Sequence, residues 1–282
     1  MNTIPLGPLA MPTTIVMLAA SVLVAVLVAR HMAGAARTSA TDRVMTCVIC
    51  AAIGARAVFV MRYWTQYAGA PWSMLDIRDG GFDWRGALGG GAVCAAYFAW
   101  RLPALRRALA ASVIAGVVSF GAFRGLASLL NLPAFTRPTT TLARLDDHTT
   151  SLTALAKTQP AAPMVVNLWA TWCPPCRAEL PMLVAAQRTH PDVLFVFVDE
   201  GETPSAVRQY LAAHQLQPNN LLLDGTQALA NATRTRGFPS TYFFAPDGRL
   251  VTSHIGMLSP ATLARALDQL KEEPTSALVQ EQ

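Results

Sequence analysis

The sequence predicts two joined folds: an all-α membrane domain of about four helices in the first half, then an α/β domain whose mixed sheet is flanked by helices. Three observations lead there. Of 282 residues, 52% are apolar and only 14% charged, where an ordinary soluble domain carries about 25% charged residues. The charge divides near residue 135: residues 1–135 hold eleven Arg, no Lys and four acids, whereas 136–282 hold eleven Lys or Arg and thirteen acids. The first half is built from long apolar runs, and the second alternates short apolar runs with helical spacing. A purely soluble enzyme is excluded by the first observation. The net charge of +5 sits among arginines that punctuate apolar runs, with no basic cluster beside aromatics on a polar face, so nucleic acid is set aside as a partner.

In order along the chain, the candidate spans are Thr13–Ala29, Val44–Met61, Gly86–Trp100 and Ala108–Leu130, each ~15–23 residues against a hydrocarbon core of about 30 Å. The first lacks the basic n-region of a cleaved signal peptide and precedes three more apolar runs, so it reads as a span. Arg30, Arg37 and Arg43 follow span one, and Arg101, Arg106 and Arg107 follow span three. The connection between spans two and three sets Arg62, Arg78 and Arg85 against Asp76, Asp79 and Asp83. The positive-inside bias then puts the first and third connections in the cytoplasm and everything after Leu130 outside. Tyr63, Trp64, Tyr67, Trp72 and Trp84 crowd the outer loop as an interfacial belt.

Leu6-Gly7-Pro8-Leu9-Ala10, Gly54-Ala55-Arg56 and Asp79-Gly80-Gly81-Phe82-Asp83-Trp84-Arg85-Gly86-Ala87-Leu88 resemble the N-terminal part of prolipoprotein diacylglyceryl transferase, a polytopic enzyme of the bacterial inner membrane. Where that family has a histidine in its Gly-Gly-x-x-x-His-Gly-Gly-Leu motif this chain has Arg85, and the Gly-Arg-x-Gly-Asn motif is reduced to Phe123-Arg124-Gly125-Leu126-Ala127. The resemblance therefore implies a truncated relative without the acyl-transfer histidine. Arg56 and Arg124 carry two readings: snorkelling to phospholipid phosphates, or a residual lipid- or partner-binding groove. Cys47 and Cys50 share a helix face, read either as small buried hydrophobes or as an electron relay across the bilayer.

Residues 133–162 are rich in Pro and Thr and read as a linker leading into the next domain, with a short helix at Ser151–Lys157; residues 1–132 precede it as the membrane domain. Over 163–273 the signals alternate. Met164–Ala170 and Val193–Val198 suit buried strands, with Pro174–Arg188 helical between them. Pro204–Gln215 is a second helix, Asn220–Leu223 a strand and Thr226–Asn231 a short helix. Thr241–Ala245 and Leu250–Ile255 flank the hairpin turn Pro246-Asp247-Gly248, and a last helix runs from Pro260 to Lys271. Residues 274–282 read as a flexible tail.

Cys173-Pro174-Pro175-Cys176 falls at the turn from the first of these strands into its helix. A cysteine at a helix start has its thiolate stabilised by free N–H groups and by the macrodipole, attacks a partner disulfide, and is resolved by the second cysteine one turn on. Pro174 and Pro175 fit the first turn and stiffen it, and Trp172 shields the pair. Two other readings of the pair stand beside this one. One is half a zinc site, which lacks further ligands because His190, His214 and His254 have no paired spacing, so no metal is expected. The other is a purely structural disulfide.

The segment Asn167–Pro181 with Gly237-Phe238-Pro239-Ser240-Thr241 is similar to the TlpA-like branch of the thioredoxin superfamily. That resemblance implies a thioredoxin fold, a redox-active Cys173–Cys176 disulfide with no other cofactor, and a cis-proline at Pro239. It also implies a substrate groove lined by Trp172, Pro174, Pro175 and Phe238. Asn167 stands where thioredoxin has a buried Asp. Glu179 matches an acid that tunes the cysteines in that family, against the alternative of a solvated pair with Arg177 or Arg188.

Taken together, these features lead us to expect a multi-pass protein of the bacterial inner membrane with its C-terminal domain in the periplasm. Its partners are the lipid bilayer, thiols or disulfides of exported proteins such as apocytochrome c or copper chaperones, and a membrane thiol reductant or oxidant. The reducing direction is favoured over oxidase or isomerase-type exchange. A lipid-modifying transferase with an accessory redox domain, and a redox-inert binding module, are the rivals from other classes.

Overall fold

A computed structural model describes residues 3–6, 9–129, 135–146, 148–235 and 237–272. Two compact units divide between Pro133 and Ala134. The expected tail 274–282, the Gly7-Pro8 step and the join at 130–134 lie outside the described residues.

In the N-terminal unit, β1 (Thr3–Leu6) and β2 (Leu9–Pro12) pair antiparallel ahead of α1 (Thr13–Met32), α2 (Arg37–Arg62), the single turn α3 (Trp64–Tyr67), α4 (Trp84–Arg101) and α5 (Arg106–Leu129). Among the described residues, three stretches are long and apolar enough to cross a membrane: Ile15–Met32, Thr38–Arg62 and Pro103–Leu126. The sequence suggested a fourth at Gly86–Trp100. α4 forms there, but Arg85 and Arg101 at its ends and four glycines within it leave it short of that apolarity. Apolar side chains such as Leu18, Leu23, Ile53, Val93 and Val117 point outward from the helices, an arrangement suited to hydrocarbon rather than water.

α2 packs along α4, and α1 along α5. The first contact depends on glycine: a Cβ on Gly54 would lie 2.5 Å from the Gly86 carbonyl oxygen, and one on Gly90 2.4 Å from that of Cys50. Close backbone approach between small residues is the usual way helices associate where lipid supplies no hydrophobic drive.

The C-terminal unit holds β3 (Thr141–Arg144), β4 (Thr149–Ser151), α6 (Leu152–Ala156), β5 (Met164–Trp169), α7 (Pro174–Thr189), β6 (Leu194–Glu200), α8 (Pro204–Ala213), β7 (Leu221–Asp224), α9 (Ala228–Ala232), β8 (Ser240–Phe244), β9 (Leu250–Ile255) and α10 (Pro260–Glu272). The sheet order is β4-β3-β7-β6-β5-β8-β9. β5, β6 and β7 are parallel, and β8, β9 and the β3–β4 hairpin join antiparallel. The mixed sheet with helices on both faces is a thioredoxin fold.

The period-two alternation of β5 feeds two cores. Val165 and Trp169 join residues of α7, α8 and α10 on one face, while Met164, Val166 and Leu168 join α6 and α9 on the other. Within the segment read as linker and domain entry, the short helix expected at Ser151–Lys157 forms as α6, whereas Thr141–Arg144 and Thr149–Ser151 form strands that composition did not suggest. β3 is bonded to β7 through Ala143–Leu223 and Arg144–Leu222, and only Leu142 along it is buried. A strand with a single buried side chain has too little apolar alternation to announce itself.

Candidate active site at the cysteine pair

β5 ends at Trp169, and the turn through Ala170–Trp172 delivers Cys173 to the N-cap of α7, with Pro174 and Pro175 at the first helical positions. Prolines there cost no hydrogen bond, because those N–H groups have no intrahelical acceptor. They also leave Cys176 with the first free N–H of the helix. It donates to Cys173 Sγ at 3.3 Å, as an N-cap side chain receives the third residue's N–H. Cys173 and Cys176 are disulfide-bonded. Cys176 has no exposure and Cys173 retains 3%, so Cys173 is the sulfur nearer to an incoming partner.

Asn167 lies on the β5 face that meets α7, and its amide Nδ2 donates to Glu179 Oε1 at 2.8 Å and to Thr241 Oγ1 at 3.0 Å. The Leu258 N–H donates to Glu179 Oε2 at 2.7 Å. Glu179 is 2% exposed. Burial pushes its carboxyl up to about 7, opposed by the Leu258 and Asn167 hydrogen bonds. The alternative of a solvated glutamate paired with arginine is therefore corrected. Arg177 instead lies over the Tyr210 ring, 5.8 Å from its centroid, and no ion pair to Glu179 is formed among the described residues.

The Phe238–Pro239 peptide bond is cis, and the Pro239 carbonyl accepts from the Gly256 N–H at 2.9 Å. Phe238 meets the Trp172 ring edge-on with centroids 6.0 Å apart. Trp172 is 62% exposed, so it forms an outward apolar lip with Phe238 rather than a cover over the cysteines.

A second set of acids went unread in the sequence. The carboxylate of Glu202 accepts from the Thr171 N–H and Oγ1–H, both at 2.5 Å, and the Glu202 N–H donates to Asp199 Oδ1 at 3.2 Å. Thr171 sits in the turn that presents Cys173, so this grip holds the turn to the end of β6. Burial, then the neighbouring Glu202 carboxyl, pushes Asp199 up to about 8. Three acids within Asp199–Glu202, closing a buried strand, were the signal available.

The candidate residues of the membrane half fall elsewhere. Every N–H of the Arg56 guanidinium is used: Nε on the Met74 carbonyl at 3.0 Å, Nη1 on Asp79 Oδ1 at 2.8 Å and the Gly81 carbonyl at 2.9 Å, Nη2 on the carbonyls of Asp76 at 2.9 Å and Ser73 at 3.3 Å. No donor remains for a lipid phosphate, which corrects the snorkelling and lipid-groove readings of Arg56. Tyr67 donates to the other Asp79 oxygen at 2.8 Å. Tyr63 and Tyr67 are buried, whereas Trp64, Trp72 and Trp84 are exposed, as is Phe82 in the same loop. Arg124 is exposed on α5, and Cys47 and Cys50 are half-buried free thiols on α2.

A family model described as prolipoprotein diacylglyceryl transferase matches residues 2–200, and one described as Redoxin matches residues 131–270. Among curated proteins, the thioredoxin-like protein YneN of Bacillus subtilis is 29% identical over 111 residues, covering 37% of this chain and 63% of that one. The thiol-disulfide oxidoreductase ResA of the same organism is 27% identical over 114 residues, covering 39% and 63%. A thiol:disulfide interchange protein DsbE homolog of Paracoccus denitrificans is 32% identical over 94 residues, covering 33% and 51%. The chain spans about three-fifths of the length of the first of these relatives.

Proposed function

Because the chain belongs to the prolipoprotein diacylglyceryl transferase family through residues 2–200 and matches a redoxin model over residues 131–270, we propose that it is a membrane-anchored thiol–disulfide oxidoreductase that reduces disulfides of exported proteins. The observation that carries this reading is the Cys173–Cys176 disulfide at the start of α7, with Cys173 Sγ on the Cys176 N–H. In the reduced pair that N–H and the helix dipole favour a Cys173 thiolate. The thiolate bonds to one sulfur of a client disulfide, and the departing client sulfur takes up a proton. Cys176 then gives its proton to Glu179 and its sulfur bonds to Cys173 Sγ as the mixed disulfide breaks; the second client sulfur departs and takes up the proton held by Glu179. Two electrons have passed to the client, and a membrane thiol reductant restores the pair. Glu179 suits the proton step because its affinity lies near neutral pH and it stands one turn along α7 from Cys176. Cys173, Cys176 and Glu179 are thus assigned the chemistry, and Pro239, Trp172, Pro174, Pro175 and Phe238 the groove.

The arginine-rich first and third connections of the membrane half favour a multi-pass inner-membrane protein with the redoxin domain in the periplasm, where disulfides persist. Arg85, where the family has its histidine, favours a membrane half that anchors rather than acylates. Incubation with labelled phosphatidylglycerol and a lipobox peptide should transfer no label.

The test is insulin reduction by the full chain with dithiothreitol. Cys173→Ser should bring turbidity down to the uncatalysed rate, and an unchanged rate overturns the reading. Equilibration with glutathione gives direction: a potential near about −270 mV marks a reductant and one near about −120 mV an oxidant.

A further inference from the structure

Three cysteines lie outside the pair just described, all free thiols, and the structure gathers them. Cys47 and Cys50 stand one turn apart on α2, and both pack against the apolar cluster in which Cys94 of α4 is buried. The meeting follows from the glycine contact. α2 and α4 run antiparallel, with Gly54 against Gly86 and Gly90, and with the Asp83 N–H on the Ala55 carbonyl. Gly86, Gly90 and Cys94 recur every four residues, so Cys94 continues the glycine stripe by one turn. Its sulfur thereby meets the face from which Cys47 and Cys50 project. Cysteines on separate helices can be bridged only with Cα atoms within about 7 Å, and a glycine-lined crossing permits that approach. Alanine or serine would fill the same stripe, so packing alone does not require three thiols.

We propose that Cys94 forms, with Cys47 or Cys50, a second dithiol/disulfide centre inside the membrane half, exchanging with an apolar disulfide presented within the bilayer. It goes beyond the Cys173–Cys176 reading and does not rest on it. Cys47 and Cys50 are half-buried and Cys94 is buried, which assigns first contact to the former and resolution to the latter. The Cys47 or Cys50 sulfur bonds to one partner sulfur as the partner's S–S bond breaks, and its proton leaves on the departing thiol. The Cys94 sulfur then bonds to the attacking cysteine, the mixed disulfide breaks, and the second partner thiol departs with the Cys94 proton. The partner gains two electrons and the cluster becomes a disulfide.

The full chain carrying Cys173→Ser and Cys176→Ser, in lipid nanodiscs, tests this separately from the first site. Excess 2,2′-dithiodipyridine should leave one pyridyl adduct per chain together with one internal bridge joining an α2 peptide to the α4 peptide. Adding Cys94→Ser should abolish the bridge and leave two adducts. Three adducts, no adducts, a bridge between two chains, or a Cys47–Cys50 bridge in the Cys94→Ser variant would each overturn the proposal.

Discussion

Each unit buries a carboxylate, and the two are supported in opposite ways. Asp79 in the membrane half faces the Arg56 guanidinium at 2.8 Å, the Tyr67 hydroxyl and the Gly81 N–H. Glu179 in the redoxin domain has an amide and one backbone N–H, and no cation. The first acid is matched charge for charge and holds the loop between α2 and α4 in shape. The second has its hydrogen bonds but no opposite charge, so burial raises its proton affinity to the range where a base is useful. A buried acid is read by its partners, not by its burial.

The strongest way to break the comparison is Arg56→Met. It strands Asp79 without its cation and frees four loop carbonyls, and breaking a buried pair from one side costs about 3–5 kcal/mol. Thermal unfolding of the full chain in detergent, with proteolysis of residues 70–83, should register the loss. An unchanged melting temperature would mean the ion pair does not hold the loop.

Glu179 supplies the contrasting pH dependence. It keeps its proton in the folded chain up to about 7 but releases it near 4.5 when unfolded. Between those values the folded chain binds more protons, so stability falls as pH rises through them, by up to about 3 kcal/mol. Glu179→Gln should flatten that slope in denaturant titrations. It should also remove an inflection near pH 7 from the alkylation rate of the reduced cysteines, and superimposable curves would remove the carboxyl from the proton step.

A smaller effect is expected at the helix contact. Gly90→Ala places a methyl 2.4 Å from the Cys50 carbonyl oxygen, and forcing α2 from α4 should cost about 1–3 kcal/mol. The same substitution should reduce bridging at Cys94, a readout by quantitative alkylation that plain destabilisation of the redoxin domain would leave untouched.

Much of the architecture was legible locally. The apolar runs marked the long helices, although α2 begins at Arg37, a full two turns before the expected Val44; the Leu250–Ile255 strand had its observed bounds, and the Cys-Pro-Pro-Cys step fell at a strand end as expected. The β3–β4 hairpin was not legible, because its strand character comes from pairing with β7 some eighty residues later and not from its own composition. Trp172 was misread as a shield because sequence does not tell which way an aromatic beside a turn faces. The arginine of span two was misread because its acceptors are mostly carbonyls, which every residue carries.

By itself the sequence determined that a greasy half whose only basic residues are arginine and histidine precedes an α/β half with a cysteine pair at a helix start, since hydrophobic period, helix-start prolines and cysteine spacing act over a few residues. Only the tertiary structure decided what surrounds each buried polar group. Arg56 and Asp79 are 23 residues apart, Asn167 and Glu179 12, and Glu179 and Leu258 79. Whether a carboxylate meets a cation or an amide, and whether three thiols share one site, depends on which distant segments pack together. Composition and spacing along the chain do not encode that.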